Sequence, residues 1–76
     1  MKKTTYAGTT STGETFKRQS ARVYTHAVVA IRPADGKIAN LGVAFCGNLE
    51  LARKMLRKGV DGYWPGMCEI VEVHEI

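Results

Sequence analysis

The chain has 76 residues, 45% of them hydrophobic, and a formal net charge of +4 at pH 7. This length allows one small core, so we expect residues 1–76 to form a single domain, and the apolar content argues against disorder. No run approaches the roughly 18 apolar residues of a membrane helix, and no secretory signal follows Met1, which together predict a cytoplasmic protein without membrane contact.

Residues 1–20 predict a polar hairpin. A Thr-rich strand over residues 4–10 is followed by a turn over residues 11–14, where Gly13 can adopt positive φ, and by a partner strand around Phe16. Because this segment contains few apolar side chains, we expect either an edge hairpin or a partly mobile arm, with residues 21–76 forming the core.

Two longer strands are predicted next. Residues 22–32 are largely apolar on both faces, which is typical of a central strand, and Pro33 ends it because proline donates no ladder hydrogen bond. The Asp35-Gly36 pair predicts a hairpin turn. Residues 38–45 are the return strand, in which Gly42 indicates a bulge or a close approach.

A helix is predicted after the fourth strand. Asn48 is a good N-cap, Gly59 suits the position just beyond the C-terminus, and the basic last turn complements the helix dipole. An aromatic loop over residues 61–66 leads to a last strand over 67–76, in which Val71 and Val73 face the core. We expect this strand to pair with a central strand or to cover an edge, with its acidic side chains beside Lys or Arg of a neighbouring strand.

The predicted element order is β-β-β-β-α-β. It indicates an α+β fold in which an antiparallel sheet of four to five strands carries one helix packed on a face. Charge is segregated along this order: residues 1–32 have a net charge of +5, residues 48–60 have +3, and residues 61–76 have −4. Opposed basic and acidic segments in so small a chain suggest a charged binding partner.

Three segments carry a resemblance to known proteins. They are Thr15-Phe16-Lys17-Arg18, Tyr24-Thr25-His26-Ala27-Val28-Val29 and the helix segment Leu49-Glu50-Leu51-Ala52. In these segments the chain resembles small uncharacterised accessory proteins of bacteriophages and prophages. The resemblance implies a phage accessory protein in the host cytoplasm that binds a host protein, nucleoprotein complex or nucleic acid. Anti-defence inhibitors, including anti-CRISPR proteins, are among such proteins. The resemblance implies no catalytic or binding residues.

The Cys and His residues raise the question of a metal or catalytic site. Cys46, Cys68, His26 and His74 make up a valid zinc set, but zinc sites place their ligands in closely spaced pairs, and none is paired here. We therefore predict reduced thiols, no metal and no cofactor. Cys46 and His26 could approach across neighbouring strands, but nothing orients the base and a small chain has little concave volume, so we predict no enzyme.

Basic side chains near aromatic ones are the first candidate binding residues. Lys17, Arg18 and Arg22 lie near Phe16 and Tyr24 in the sequence. Such interleaving serves single-stranded nucleic-acid binding, through phosphate neutralisation and base stacking. The solvent face of the helix adds four cations: Arg53, Lys54, Arg57 and Lys58. The alternative interpretation is that these cations only keep the surfaces of the hairpin and the helix hydrated and bind no partner.

The segment Tyr63-Trp64-Pro65 is the second candidate. Tyr and Trp are enriched at interface hot spots, but a small core also needs large side chains. We expect Trp64 to be partly buried against the helix end, near Leu56 and Val60, and Tyr63 to be the more exposed ring.

The leading prediction is a non-enzymatic accessory protein of phage type that binds a host macromolecule, such as an anti-CRISPR-like inhibitor of nucleic-acid machinery. The alternative is a direct single-stranded DNA- or RNA-binding protein, and a Cys/His enzyme or metal protein is the third class. A monomer and a homodimer both remain open. The predicted partner-binding residues are Lys17, Arg18, Arg22, Tyr24, Arg53, Lys54, Arg57, Tyr63 and Trp64.

Overall fold

A computed structural model describes residues 3–60 and 62–76, apart from the side chain of Leu41. The predicted loop residue Asp61 lies outside this description. The described elements are β1 (Thr4–Thr9), β2 (Thr15–Ser20), β3 (His26–Ile31), β4 (Ile38–Cys46), α1 (Leu49–Lys58), a short 3-10 helix (Pro65–Met67), β5 (Cys68–Glu72) and β6 (His74–Glu75). Across these residues, no helix is long and apolar enough to cross a bilayer.

The strands form two antiparallel sheets of three. The hairpin sheet has the order β2-β1-β6 and the central sheet has the order β4-β3-β5. The C-terminal strand belongs to both, because β5 pairs with β3 and β6 pairs with β1. Between them, the Val73 N–H donates to the Thr25 carbonyl oxygen at 3.0 Å. The predicted α+β fold with an antiparallel sheet and one packed helix is confirmed.

The central sheet is buried on both faces. One face packs against the hairpin sheet through Ala27 and Val29, which lie in one cluster with Tyr6, Phe16 and Val71. The other face carries the helix, and there Val28, Cys46, Ala52 and Val60 form a second cluster. Burial on both sides is the physical reason why residues 26–31 have no polar face.

The hairpin is docked onto the core. Its Tyr6 and Phe16 side chains are buried between the sheets. Its tip is held by Ser11, whose backbone N–H and Oγ both donate to the Glu69 carboxylate at 3.0 and 2.6 Å. Thr12 Oγ1 also donates to the Gly36 carbonyl oxygen at 2.6 Å. The hairpin is therefore packed against the central sheet and contributes two buried aromatic side chains to the core.

The predicted helix boundaries and turn positions are confirmed. Asn48 Oδ1 accepts a hydrogen bond from the Leu51 N–H at 2.8 Å, and the Gly59 N–H donates to the Met55 carbonyl at 2.9 Å. Gly36 adopts a φ of 70° in the β3–β4 turn. Gly42 marks a close approach, since a Cβ there would lie 2.9 Å from Ala30 Cβ.

The last strand differs from its prediction in two ways. It starts after a 3-10 helix that takes up Met67, and it is interrupted at Val73 where the chain passes between sheets. Val71 and Val73 are buried, as predicted. The predicted charge pairing is wrong, because Glu69, Glu72 and Glu75 lie opposite Val29, His26 and Tyr6. Their strands pair with the apolar centre of the fold, and the one ion pair within the described part of the chain joins Arg32 and Asp35.

Candidate functional site

An open groove lies between the segment before β3, the end of β4 and the helix. Its volume is about 510 Å³. We call it the basic groove, because apolar side chains alternate with three cations around it. The lining residues are Arg22, Val23, Tyr24, Phe45, Cys46, Gly47, Leu51, Lys54, Met55 and Lys58.

The groove exists because residues 21–25 leave the sheet before β3 begins. The Arg22 N–H donates to Ser20 Oγ at 3.1 Å, which turns the chain after β2. The segment rejoins the fold at Thr25, whose N–H donates to the Cys46 carbonyl and whose Oγ1 donates to the Gly47 carbonyl. Strand β3 therefore begins at His26 rather than at residue 22, and Val23 is left 73% exposed.

Two aromatic rings on one side of the groove belong to a larger cluster. Tyr24 and Phe45 have ring centroids 5.3 Å apart, and each also contacts a buried ring of the hairpin, Tyr6 at 5.5 Å and Phe16 at 5.6 Å. The Arg18 guanidinium lies 5.9 Å from the Tyr24 centroid and 5.7 Å from that of Phe45, within the range of cation–π attraction. Packing thus holds Tyr24 and Phe45, the aromatic wall of the groove, in place. Arg18 adds a positive charge beside this wall.

The helix presents four exposed cations, Arg53, Lys54, Arg57 and Lys58, against one acidic residue, Glu50. Arg53 and Arg57 are four residues apart, as are Lys54 and Lys58, so like charges are neighbours on the helix surface. None of the four makes an ion pair with any residue that the structure describes. A second recess of about 500 Å³ lies beside the helix, and Lys54 borders both it and the basic groove; its lining residues are Leu49, Glu50, Arg53, Lys54 and Arg57.

The structure brings together only part of the predicted binding set. Arg22, Tyr24 and Lys54 line the basic groove, and Arg18 lies over its aromatic wall. Lys17 is exposed on the opposite face of β2 from Phe16, because side chains alternate along a strand. The predicted residues that neither line the basic groove nor lie over its aromatic wall are Lys17, Arg53, Arg57, Tyr63 and Trp64.

The apolar groove residues were missed by sequence reasoning. Val23 belongs to the strand predicted over residues 22–32 and Leu51 to the predicted helix, yet Leu51 is 48% exposed. Leu51 did carry a signal, since Lys54, Met55 and Lys58 follow it at positions i+3, i+4 and i+7, on the same face of the helix. Nothing in the local pattern marked Val23, whose exposure follows from the late start of β3.

The prediction for the aromatic loop is wrong. Trp64 is 76% exposed, whereas Tyr63 is half-buried and its hydroxyl donates to the Asn40 carbonyl oxygen at 2.8 Å. Trp64 was expected near Leu56 and Val60. Val60 is buried in the cluster beneath the helix and Leu56 packs beside it, but Trp64 is not part of that cluster. The loop instead turns the smaller ring inward and leaves the indole in solvent.

The Cys and His residues form no activated group. Cys46 lies opposite His26 in the β3–β4 ladder, but burial raises the pKa of its thiol. A raised pKa keeps the thiol protonated, which is the reverse of what a nucleophilic cysteine needs. His26 Nδ1 lies 2.8 Å from Thr25 Oγ1, and neither Cys46 nor Cys68 forms a disulfide. Among residues 3–60 and 62–76, no group of three or more His, Cys, Asp or Glu side chains could hold a metal ion.

No protein-family model, curated protein or solved structure matches this chain. Functional inference therefore depends on the surface chemistry of the described residues. That surface offers two features, the exposed helix cations and the basic groove that adjoins them.

Proposed function

We propose that this chain is a non-enzymatic binding protein that attaches to an acidic surface of a macromolecular partner through its basic helix. The observation that carries the proposal is the arrangement of the four helix cations. Like charges four residues apart destabilise a helix by about 0.2–0.5 kcal/mol per pair. Arg57 and Lys58 are offset by the helix dipole in the last turn, and Glu50, three and four residues before Arg53 and Lys54, offsets part of the repulsion there, but one carboxylate against four cations leaves the helix with a net charge of +3. Retention of that cost is understandable if a partner supplies the missing negative charge.

The resemblance to phage accessory proteins suggests what the partner is. In this proposal the chain acts in the host cytoplasm and binds a host protein or nucleoprotein complex. An anti-defence role, as an inhibitor of nucleic-acid machinery of the anti-CRISPR type, agrees with a basic binding surface. The mechanism is occupation of an acidic surface that the machinery needs, with no chemical step.

Direct binding of single-stranded DNA or RNA is the competing function. It would require exposed aromatic rings beside the cations, on which bases could stack. The hairpin rings Tyr6 and Phe16 are only 3% and 9% exposed, and Tyr24 and Phe45, which line the basic groove, are half-buried in one aromatic cluster with them. Trp64 is exposed but does not line the basic groove. The shortage of exposed aromatic rings beside the cations thus favours a protein surface, and not nucleic acid, as the partner.

The test compares two variants that each lose two charges. Arg53→Gln/Arg57→Gln alters the helix, and Lys17→Gln/Lys37→Gln is the control on exposed residues outside it. Binding to polyglutamate and to single-stranded oligo(dT) is measured by fluorescence anisotropy at several salt concentrations. We expect the helix variant to bind polyglutamate about tenfold more weakly, with less salt dependence, and the control to change little.

Equal losses in both variants would show that net charge, and not the helix, determines binding, which would contradict the proposal. Tighter binding of oligo(dT) than of polyglutamate at the same salt concentration would favour the nucleic-acid alternative.

A further inference from the structure

We infer that the basic groove is the docking site for an acidic amphipathic segment of a partner protein. In this arrangement a large apolar side chain of the partner enters the groove, and carboxylates on either side of it contact Arg22, Lys54 and Lys58. The inference rests on the proposed function, and it adds the chemical class of the partner segment and the place where it binds.

The groove exposes apolar side chains to water, which is energetically unfavourable. Val23 and Leu51 are 73% and 48% exposed, and both line the groove together with the rings of Tyr24 and Phe45. Contiguous exposed apolar residues with a polar surround commonly mark interaction sites. The volume of about 510 Å³ is enough for a large apolar side chain and its neighbours. An occupant must therefore bring apolar surface as well as charge.

The charges around the groove have one sign. Arg22, Lys54 and Lys58 line it, and among the described residues no carboxylate does, since Glu50 borders the second recess, next to Arg53 and Arg57. Arg18, over the aromatic wall, adds a fourth cation nearby. A purely apolar partner would desolvate these cations without replacing their hydration, which is unfavourable.

The combination of apolar floor and cationic surround distinguishes between partner classes. A nucleic-acid strand would neutralise the cations, and its bases would stack on aromatic rings. It would gain little from Val23 and Leu51, because aliphatic side chains have no ring on which a base can stack. An amphipathic peptide satisfies both, because it can carry an apolar anchor and flanking carboxylates in one segment. Charge complementarity together with the exposed aliphatic side chains thus selects an acidic amphipathic peptide.

The experiment uses the full chain and a synthetic peptide with a Leu-Phe-Leu centre between two Asp-Glu-Asp segments. A second peptide has Ser in place of the three apolar residues. Binding is measured by calorimetry, and the bound site is mapped by amide chemical shifts. We expect shifts confined to residues 22–24, 45–47 and 51–58, and affinity about tenfold lower for the Ser peptide.

Leu51→Gln and Leu49→Gln are the matched variants. Both leucines are exposed on the same helix, at 48% and 39%, but only Leu51 lines the basic groove. We expect Leu51→Gln to weaken peptide binding about tenfold and Leu49→Gln to leave it unchanged. The far-UV spectrum of each variant checks that the fold is retained, and the Ser peptide tests the same point without any substitution.

Several outcomes would overturn the inference. Equal binding of the two peptides would do so, as would equal effects of the two leucine variants. If the inference fails in this way but the Arg53→Gln/Arg57→Gln variant loses polyglutamate binding, the proposed function still stands. If that variant keeps its polyglutamate binding, the proposed function and the inference both fail. Displacement of the peptide by oligo(dT) would assign the groove to nucleic acid. A wild-type dimer that Leu51→Gln converts to a monomer would assign it to a second copy of this chain.

Discussion

Tyr63 and Trp64 are adjacent in the chain but lie in opposite environments. The Tyr63 hydroxyl reaches the Asn40 carbonyl, so this ring connects the loop after the helix to strand β4. Trp64 is the only tryptophan of the chain, and three-quarters of its surface is exposed. The larger of the two rings is therefore not the one that we expect to be more important for folding. We expect the ring that has a hydrogen-bond partner to contribute more to stability than the larger one.

We predict that Trp64→Ala changes the free energy of unfolding by less than about 0.5 kcal/mol, as expected for an exposed side chain without partners. Tyr63→Phe should cost about 1 kcal/mol, because it removes one hydrogen bond and leaves the Asn40 carbonyl without its donor. Urea unfolding followed by circular dichroism measures both. A loss of several kcal/mol in the tryptophan variant would show that the indole is part of the core.

At the scale of elements, the end of the helix depends on one close approach. Gly59 has a φ of 82°, and a Cβ at this position would collide with the Tyr63 carbonyl oxygen. Gly62 has nearly the same φ, 84°, but a Cβ there would meet no atom within 4 Å among the described residues. The two glycines therefore share the conformational requirement of positive φ and differ in the space around them.

We predict that Gly62→Ala costs about 1 kcal/mol, from the unfavourable φ alone. Gly59→Ala should cost at least twice as much, since the loop from residue 60 to 63 must also move away from the helix end. Thermal unfolding of the two variants compares them directly. Equal destabilisation would mean that the close approach to the Tyr63 carbonyl contributes nothing.

At the scale of the whole molecule, the two sheets are joined by their shared C-terminal strand. Val73 lies where this strand passes from one sheet to the other, and it is buried with Tyr6 and Phe16 of the hairpin and Val29 of the central sheet. The hairpin and the central sheet thus have a side chain in common as well as a strand. We expect them to unfold together, in one cooperative transition.

We predict that Val73→Ala costs about 2 kcal/mol, from the lost burial of two methyl groups and the cavity they leave. Val23→Ala is the matched control, because Val23 is 73% exposed whereas Val73 is 8% exposed. The control should change stability by less than about 0.5 kcal/mol. Hydrogen exchange of the backbone amides in the Val73→Ala variant checks whether the two sheets unfold together. If they do, the amides of the hairpin and of the central strands lose protection equally.

The features that depend on residues close together in the chain were predictable from the amino-acid sequence. Asn48 caps the helix through a hydrogen bond three residues away, Gly59 ends it with positive φ, and the Asp35-Gly36 pair makes the turn between β3 and β4. The both-sided apolar pattern around Val28 and Val29 also identified the central strand. Each of these signals acts over a few residues, so each is readable without knowledge of the fold.

The division into two sheets and the shape of the candidate site depend on contacts between distant parts of the chain. The last strand reads as one segment, but its two halves pair with different strands, and that choice depends on packing around Val73. The basic groove brings Arg22 and Val23 beside Leu51 and Lys58, residues from distant parts of the chain. Val60 and Leu56 pack beneath the helix without Trp64, which was expected beside them and is instead exposed. Such outcomes depend on competition for space among distant residues, which no local pattern records.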